Sequence, residues 1–302
     1  MKHDGIYLLR KPASVSSQKA LANFKLSLGF TKHLRKNIGH CGTLDPFATG
    51  LLLVGIEEGT KLLAPLTGLD KTYEVKMILG ATTETFDSEA EFLFPKDRLN
   101  YDKLSNEFFI NFLQEKIGKH QQIPPKYSAV KIDGQRAYKL ARKNIDFNIK
   151  SKNIIIHSAF HKSYENQKLN NIPIVVWNFS IKVSTGTYIR SLARDWGKEI
   201  VNFKGMLLSL NRVSIGDFEL SAIPKEKKHL KLFNKSLLKV FDSVKITTLE
   251  QEKLLNNGIW SKQWCNEQSL NKHTLVLNKD SKILAYMINV ESKCGRVLNH
   301  PI

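Results

Sequence analysis

The stretch from Gly39 to Ile56 constrains the fold most. Gly39-His40-Cys41-Gly42-Thr43-Leu44-Asp45-Pro46-Phe47-Ala48-Thr49-Gly50 is rich in turn formers, and Leu51-Leu52-Leu53-Val54-Gly55-Ile56 is almost wholly apolar. A short apolar run flanked by glycines reads as a buried strand. The chain must therefore bury that strand and leave the loop at its end. Glycines let such a loop turn tightly, and Pro46 stiffens it just after its only acid, Asp45. A carboxylate on a rigid, core-anchored loop is a candidate for chemistry. On spacing alone, an Asx turn in which Asp45 bonds its own backbone accounts for the pattern better.

Charge narrows the partner. Lys and Arg number 46 against 28 Asp and Glu, a net +18 in 302 residues. That excess points to a polyanion, attracted by steering and counterion release. No run of 18 apolar residues and no signal-peptide pattern occurs, so a cytoplasmic, non-membrane protein is expected. The bases are sorted. Residues 1–40 hold eight bases and one acid, 122–153 eight bases and two acids, and 83–115 eight acids and three bases. Two basic faces for a nucleic acid and one acidic face turned away would explain this. Cys41, Cys265 and Cys294 are too few and too scattered for a disulfide framework or a zinc site. Cys41 reads as a small packing residue, and no metal site is expected.

Periodicity supplies the elements. Gly5–Leu9 reads as a strand, followed by a Lys11-Pro12 turn. A helix capped by Ser16 or Ser17 follows, with Leu21, Phe24 and Leu28 as its stripe and Gly29 as its stop. Thr72 to Leu79 alternates, placing Tyr73, Val75, Met77 and Leu79 on one face of a half-buried strand; on that pattern alone Tyr73 is a core residue. Gln135 to Lys143 reads as an exposed amphipathic helix, and Val175 to Val183 as a long strand. Thr187 is a candidate N-cap for a helix burying Ile189, Leu192, Ala193, Trp196 and Ile200. Arg190 would then sit in the first turn, where the dipole disfavours a cation, so pairing with an anion is expected. After a lysine-rich stretch, 223–239, a helix over Thr247–Leu255 and strands at Thr274–Leu277 and Ile283–Ile288 are expected.

The residue string itself carries more. Gly-His-Cys-Gly-Thr-Leu-Asp-Pro-x-Ala-Thr-Gly-Leu-Leu-x-Val, followed by Gly59-Thr60-Lys61, closely resembles the signature of the tRNA pseudouridine synthase B (TruB) family. Three further blocks agree: Asp70-Lys71-Thr72-Tyr73 leading to Gly80 through Asp87, Gln122 through Arg142, and Gly186-Thr187-Tyr188-Ile189-Arg190. Three departures stand out. Arg10-Lys11-Pro12-Ala13-Ser14 replaces the usual Asp-Lys-Pro-x-Gly, no glycine follows Asp87, and Leu210-Asn211-Arg212 replaces Leu-Arg-Arg.

The resemblance implies an α+β fold, the pseudouridine synthase fold, with a mixed, largely antiparallel sheet and flanking helices. A catalytic domain would span 1–240, with an RNA-clasping insertion at about 120–152, and a small, mainly β, PUA-like RNA-binding domain would span 245–302. It implies Asp45 as nucleophile, Tyr73 stacked on the target base, and Arg190 paired with Asp45. His40, Lys11, Leu210, Lys126, Tyr127, Lys131 and Arg136 would contact the substrate, with Leu210 as a pocket wall. The implied activity is isomerisation of uridine 55 in the T loop of tRNA. The enzyme would be a cofactor-free monomer whose partner is the T-stem-loop.

The chemistry suits these residue types. Exchanging a carbon–nitrogen for a carbon–carbon glycosidic bond needs no redox partner or group donor, and the sequence holds no P-loop or dinucleotide fingerprint. It does need a nucleophile and a slot for an unstacked nucleotide, which Asp45 and Tyr73 would supply. Two rivals are a tRNA-folding chaperone without catalysis and a glycosidase. The glycosidase needs two carboxylates flanking the bond, and nothing in the sequence pairs Asp45 with another.

Overall fold

A computed structural model describes residues 3–30 and 37–232, and beyond them 237, 242–246, 274–277, 280, 283–287 and 296–297. Along the chain run β1 (Gly5–Lys11), α1 (Ser17–Ser27), β2 (Ile38–Cys41), β3 (Thr49–Ile56), α2 (Leu63–Thr67) and β4 (Lys71–Leu79). Then come α3 (Asn106–Glu115), β5 (Gly118–Gln122), β6 (Lys131–Ile132), β7 (Gln135–Arg136) and α4 (Ala137–Arg142). These are followed by β8 (Lys152–Leu169), β9 (Ile172–Val183), α5 (Ile189–Val201), β10 (Met206–Ile215) and β11 (Phe218–Glu219). The last described strands are β12 (His229–Lys231), β13 (Asp242–Lys245), β14 (Thr274–Leu277), β15 (Ile283–Met287) and β16 (Arg296–Val297). The class is α+β, with mostly antiparallel pairing. Two compact units divide the chain: Met1–Asp45 with Gly50–Leu69 and Gly216–Ile302, and Pro46–Thr49 with Asp70–Ile215.

In the first unit the apolar run is β3, buried at every residue from Gly50 to Ile56. It lies between β1, with Leu8 opposite Leu53, and β2, with His40 opposite Val54. β12 closes the outer edge of β1. Helix α1 covers one face, with Ala20, Leu21 and Phe24 meeting Tyr7, Leu9, Leu52, Val54 and Ile56. Ser16 is its cap, accepting from Lys19 N at 3.1 Å, and Leu28 is the C-cap, only partly buried. The turn after β3 lies so close to β1 that a Cβ on Gly59 would come 2.1 Å from the Gly5 carbonyl oxygen, so only glycine fits. Later in this unit β13, β14, β15 and β16 form a four-stranded sheet in which β13 and β14 run parallel. Leu275, Val276, Leu277 and Ile283 are buried there. The expected strands at 274–277 and 283–288 correspond to β14 and β15; the expected helix at 247–255 lies outside the described residues.

In the second unit the strand order is β10-β4-β9-β8-β5, antiparallel throughout. β9 is longer than the expected strand at its start and returns from β8 through Asn170 and Asn171, both at positive φ (51° and 62°). That geometry favours short polar residues in a tight hairpin. On one face an aromatic cluster joins three elements. The Trp177 ring centroid lies 4.4 Å from Phe109 of α3, 4.6 Å from Phe179 and 6.0 Å from Trp196 of α5. The buried Trp177 indole donates to His161 Nδ1 at 3.1 Å. Burial holds the His161 pKa below its ordinary value, which favours the neutral ring. Among the described residues no helix is long and apolar enough to cross a membrane.

Candidate active site

The turn that carries Asp45 is built from the inside. Leu44 is buried, and its peptide groups are met by a side chain 27 residues away: Ser17 Oγ donates to Leu44 O at 2.8 Å and accepts from Leu44 N at 2.9 Å. Asp45 itself is half-buried, and Cys41 is buried as the expected packing residue. After Pro46 come buried Phe47 and Ala48. Thr49 Oγ1 then donates to Asn211 Oδ1 at 3.1 Å. Asn211, a departure from the family's Leu-Arg-Arg, thus holds the far end of the signature.

The neighbouring Lys11 turn is also internal. Lys11 is wholly buried, with its ammonium donating to Pro12 O at 2.8 Å and Val15 O at 2.5 Å. It fixes the turn that leads into α1. Ser14 stands where the family carries glycine and has φ 58°, a conformation that strains any residue with a Cβ. Arg10, in place of the family's aspartate, donates to Ile223 O at 3.0 Å. His40 lies on β2, half-buried and in register with Val54, rather than on a loop. The glycines on either side of His40-Cys41 disguised that short strand.

Tyr73 and Leu210 lie on adjacent strands of the second unit. Tyr73 is 7% exposed on β4, between Ile181 of β9 and Arg212 of β10. Leu210 is buried opposite Val75. Arg190, in the first turn of α5, is 4% exposed. It donates to Thr85 O at 2.9 Å and to Tyr127 O at 3.0 Å, and lies 3.5 Å from an Asp87 carboxylate oxygen. The helix start alone called for an anion beside Arg190, and Asp87 is one; the pairing with Asp45 that the resemblance implies is a separate expectation. The N-cap differs from expectation. It is Tyr188, whose N–H donates to Gln122 Oε1 at 2.9 Å, while Gln122 Nε2 donates to Tyr188 O at 3.1 Å. Thr187 instead donates to Ser184 O.

The basic insertion is mostly open. Lys126 pairs with Asp146 at 3.1 Å, both exposed, and this lowers the Asp146 pKa. Lys131 and Arg136 are exposed on the β6–β7 hairpin, which turns at Asp133 and Gly134, both at positive φ. The hairpin shortens the expected helix at 135–143 to Ala137–Arg142. Tyr127 donates its hydroxyl to Glu84 Oε1 at 2.8 Å; desolvation first, and then Glu84, raise its pKa. This corrects the expected segregation of charge. Glu84 and Asp87, the first acids of the acidic stretch, contact the insertion and Arg190 instead of facing away. Of the expected residues the structure brings together Tyr127 and Arg190, and places Tyr73 and Leu210 on neighbouring strands, opposite Arg212 and Val75. Sequence reasoning missed Ser17, Gln122 and the Asp87 partnership. Each gave only a partial signal: Ser17 at a helix start, Gln122 opening the Gln122–Arg142 block and Asp87 closing the block from Gly80.

Residues 31–189 match the family described as TruB family pseudouridylate synthase (N terminal domain). A protein of Mycoplasma mobile named tRNA pseudouridine synthase B is 43% identical over 222 residues, 74% of this chain and 72% of its own length. The chain belongs to the TruB family of pseudouridylate synthases. A Tropheryma whipplei protein of the same name is 37% identical, over 73% of this chain but only 55% of its own length. Among solved structures, an H/ACA RNP bound to a substrate RNA containing 2′-deoxyuridine aligns with TM-score 0.60 at 15% identity. That alignment covers 97% of this chain and 82% of the other, and speaks for the fold alone.

Proposed function

We propose that this TruB-family chain isomerises uridine 55 in the T loop of tRNA to pseudouridine, with Asp45 as the nucleophile. The observation that carries the reading is the Leu44-Asp45-Pro46 turn, where an intact family signature coincides with backbone fixed by a buried hydroxyl. In the reaction the N1–C1′ bond breaks, a C5–C1′ bond forms, and a proton leaves C5 while one is gained at N1. The atoms of the nucleotide are conserved, so Asp45 adds to it and is released unchanged.

Tyr73 stacks on the flipped base, with Leu210 as the adjoining wall. Arg190 pairs with Asp45, keeping it ionised and aimed. His40 stacks within the opened RNA loop, and Lys11 shapes the turn before α1. Lys126, Tyr127, Lys131 and Arg136 hold the RNA from the insertion at 120–152. Residues 1–240 form the catalytic domain, and 245–302 a PUA-like domain that binds the rest of the tRNA. The protein acts as a monomer without a cofactor. The net charge of +18 supports RNA as the partner.

The test is incubation of the purified protein with unmodified tRNA transcript, followed by chemical mapping of pseudouridine. One product, at position 55, is expected. Asp45→Asn should abolish it while tRNA still binds. Turnover by pure Asp45→Asn would remove the nucleophile, and RNA binding without turnover by the native protein would favour the chaperone.

A further inference from the structure

We propose that Ser17 is a positioning residue for the reaction, setting the aim of Asp45 by clamping the peptide groups on both sides of Leu44. The proposal rests on Asp45 being the nucleophile.

Two adjacent serines divide the labour at the start of α1. Ser16 takes the capping role, accepting from Lys19 N. Ser17, 2% exposed, turns its hydroxyl the other way and uses it as donor to Leu44 O and acceptor from Leu44 N. The Leu44 N–H belongs to the Thr43–Leu44 peptide plane, and the Leu44 C=O to the Leu44–Asp45 plane. One hydroxyl thereby fixes the two successive planes leading to the nucleophile. What remains free is rotation about bonds of Asp45 itself, and Pro46 restrains the chain on the other side.

The contact also answers a backbone need. Both Leu44 groups lie in a buried setting, where an unmet N–H or C=O is costly. A water could satisfy both, but it is not a short side chain rigidly attached to a packed helix. Ala20, Leu21 and Phe24 fix α1 on the sheet, so the clamp transmits the position of the core to the catalytic turn. A nucleophile displaced by about 1 Å can lose on the order of 100-fold in rate. Ser17 acts through Leu44 and touches no substrate, so its effect should fall on the chemical step and not on RNA affinity.

The experiment measures kcat at saturating tRNA, tRNA affinity and melting temperature for Ser17→Ala, Ser17→Cys, Ser17→Thr and Ser27→Ala. Ser27 lies on the same helix and its hydroxyl bonds Phe24 O, so it controls for loss of a helix serine without touching the turn. Assays are run well below every melting temperature. Ser17→Ala should lower kcat by about 10-fold to 100-fold with little change in affinity, and Ser17→Thr, which keeps the hydroxyl, should recover most of it. Should Ser17→Ala fail to fold, Ser17→Cys keeps the volume with weak hydrogen bonding and carries the same comparison. An unchanged kcat, or a fall matched by Ser27→Ala, overturns the proposal. Asp45→Asn runs alongside. If it is inactive while Ser17→Ala is normal, only the Ser17 assignment fails; if it turns over, the nucleophile assignment fails.

Discussion

The Asp45 turn and the basic insertion solve opposite problems. The turn is held by neutral hydrogen bonds inside the protein, through Ser17 and Leu44, with buried Phe47 and Ala48 beside it. The insertion presents charge outward: the side chains of Lys126 and Asp146 are 60% and 94% exposed, and Lys131 and Arg136 sit on a two-residue ladder. Salt reaches the second arrangement and scarcely touches the first. The proposed nucleophile, which would need aiming to within a fraction of an ångström, is built from buried neutral contacts. The residues proposed to meet a phosphate backbone would need only reach and charge. Between these extremes stands Arg190, a buried cation whose Tyr127 contact ties the insertion to α5.

Arg190→Lys should break the comparison most severely. Lysine keeps the charge but cannot fork between Thr85 O, Tyr127 O and Asp87. Disrupting a buried ionic contact of this kind typically costs about 3–5 kcal/mol, divided between rate and stability. Turnover and melting temperature measured together give the division; normal values for both would make the arginine dispensable.

A smaller effect is expected at Tyr73. Removing the ring in Tyr73→Ala should lose about 1–3 kcal/mol of base contact, whereas Tyr73→Phe should keep most of it. Single-turnover rates and tRNA affinities distinguish the cases, and a fully active alanine variant would make Tyr73 an ordinary core residue of β4.

The insertion is tested by salt. Replacing Lys126, Lys131 and Arg136 together with alanine should weaken binding to any RNA. It should also make the slope of log affinity against log salt shallower by about 2 to 3, from three lost phosphate contacts. The same substitutions should leave melting nearly unchanged, because these side chains are exposed. An unchanged slope would locate the phosphate contacts elsewhere.

The smallest effect is expected at the Lys11 turn. Ser14 holds φ 58°, a conformation that costs a residue with a Cβ about 1–2 kcal/mol. Ser14→Gly should raise stability by about 1 kcal/mol or less, because glycine also frees the unfolded chain. Denaturant titration measures it. A destabilised glycine variant would show that the serine has a compensating role.

What the sequence made legible follows the physics of each segment. β3 and β4 were plain because a continuous apolar run and a strict alternation are direct imprints of burial on two faces or one. β8 was not seen. Its register shifts between Ile156 and Ser158 and between His161 and Ser163, and each irregularity resets the two-residue period. The Thr187 cap was misplaced because the α5 start is served by Gln122, 66 residues earlier, and no local pattern records such a partner. The Ser17 clamp was hidden for the same reason: a serine beside a helix start looks like a cap. In the candidate site, residue identities came from the family signature, and their hydrogen-bond partners came only from the fold.

The packing around Trp177 gives the second unit an optical signature of its own. Trp177 and Trp196 stand 6.0 Å apart at an interplanar angle of 35°, close enough for their electronic transitions to couple. With Trp260 and Trp264 replaced by phenylalanine, every remaining indole would belong to this pair. Near-ultraviolet circular dichroism would then register whether α3, β9 and α5 are assembled, and its loss in urea would time the melting of that layer. Unfolding of the unit that carries Ser17 and Asp45 could be followed separately, through the Cys41 thiol, as it becomes open to alkylation.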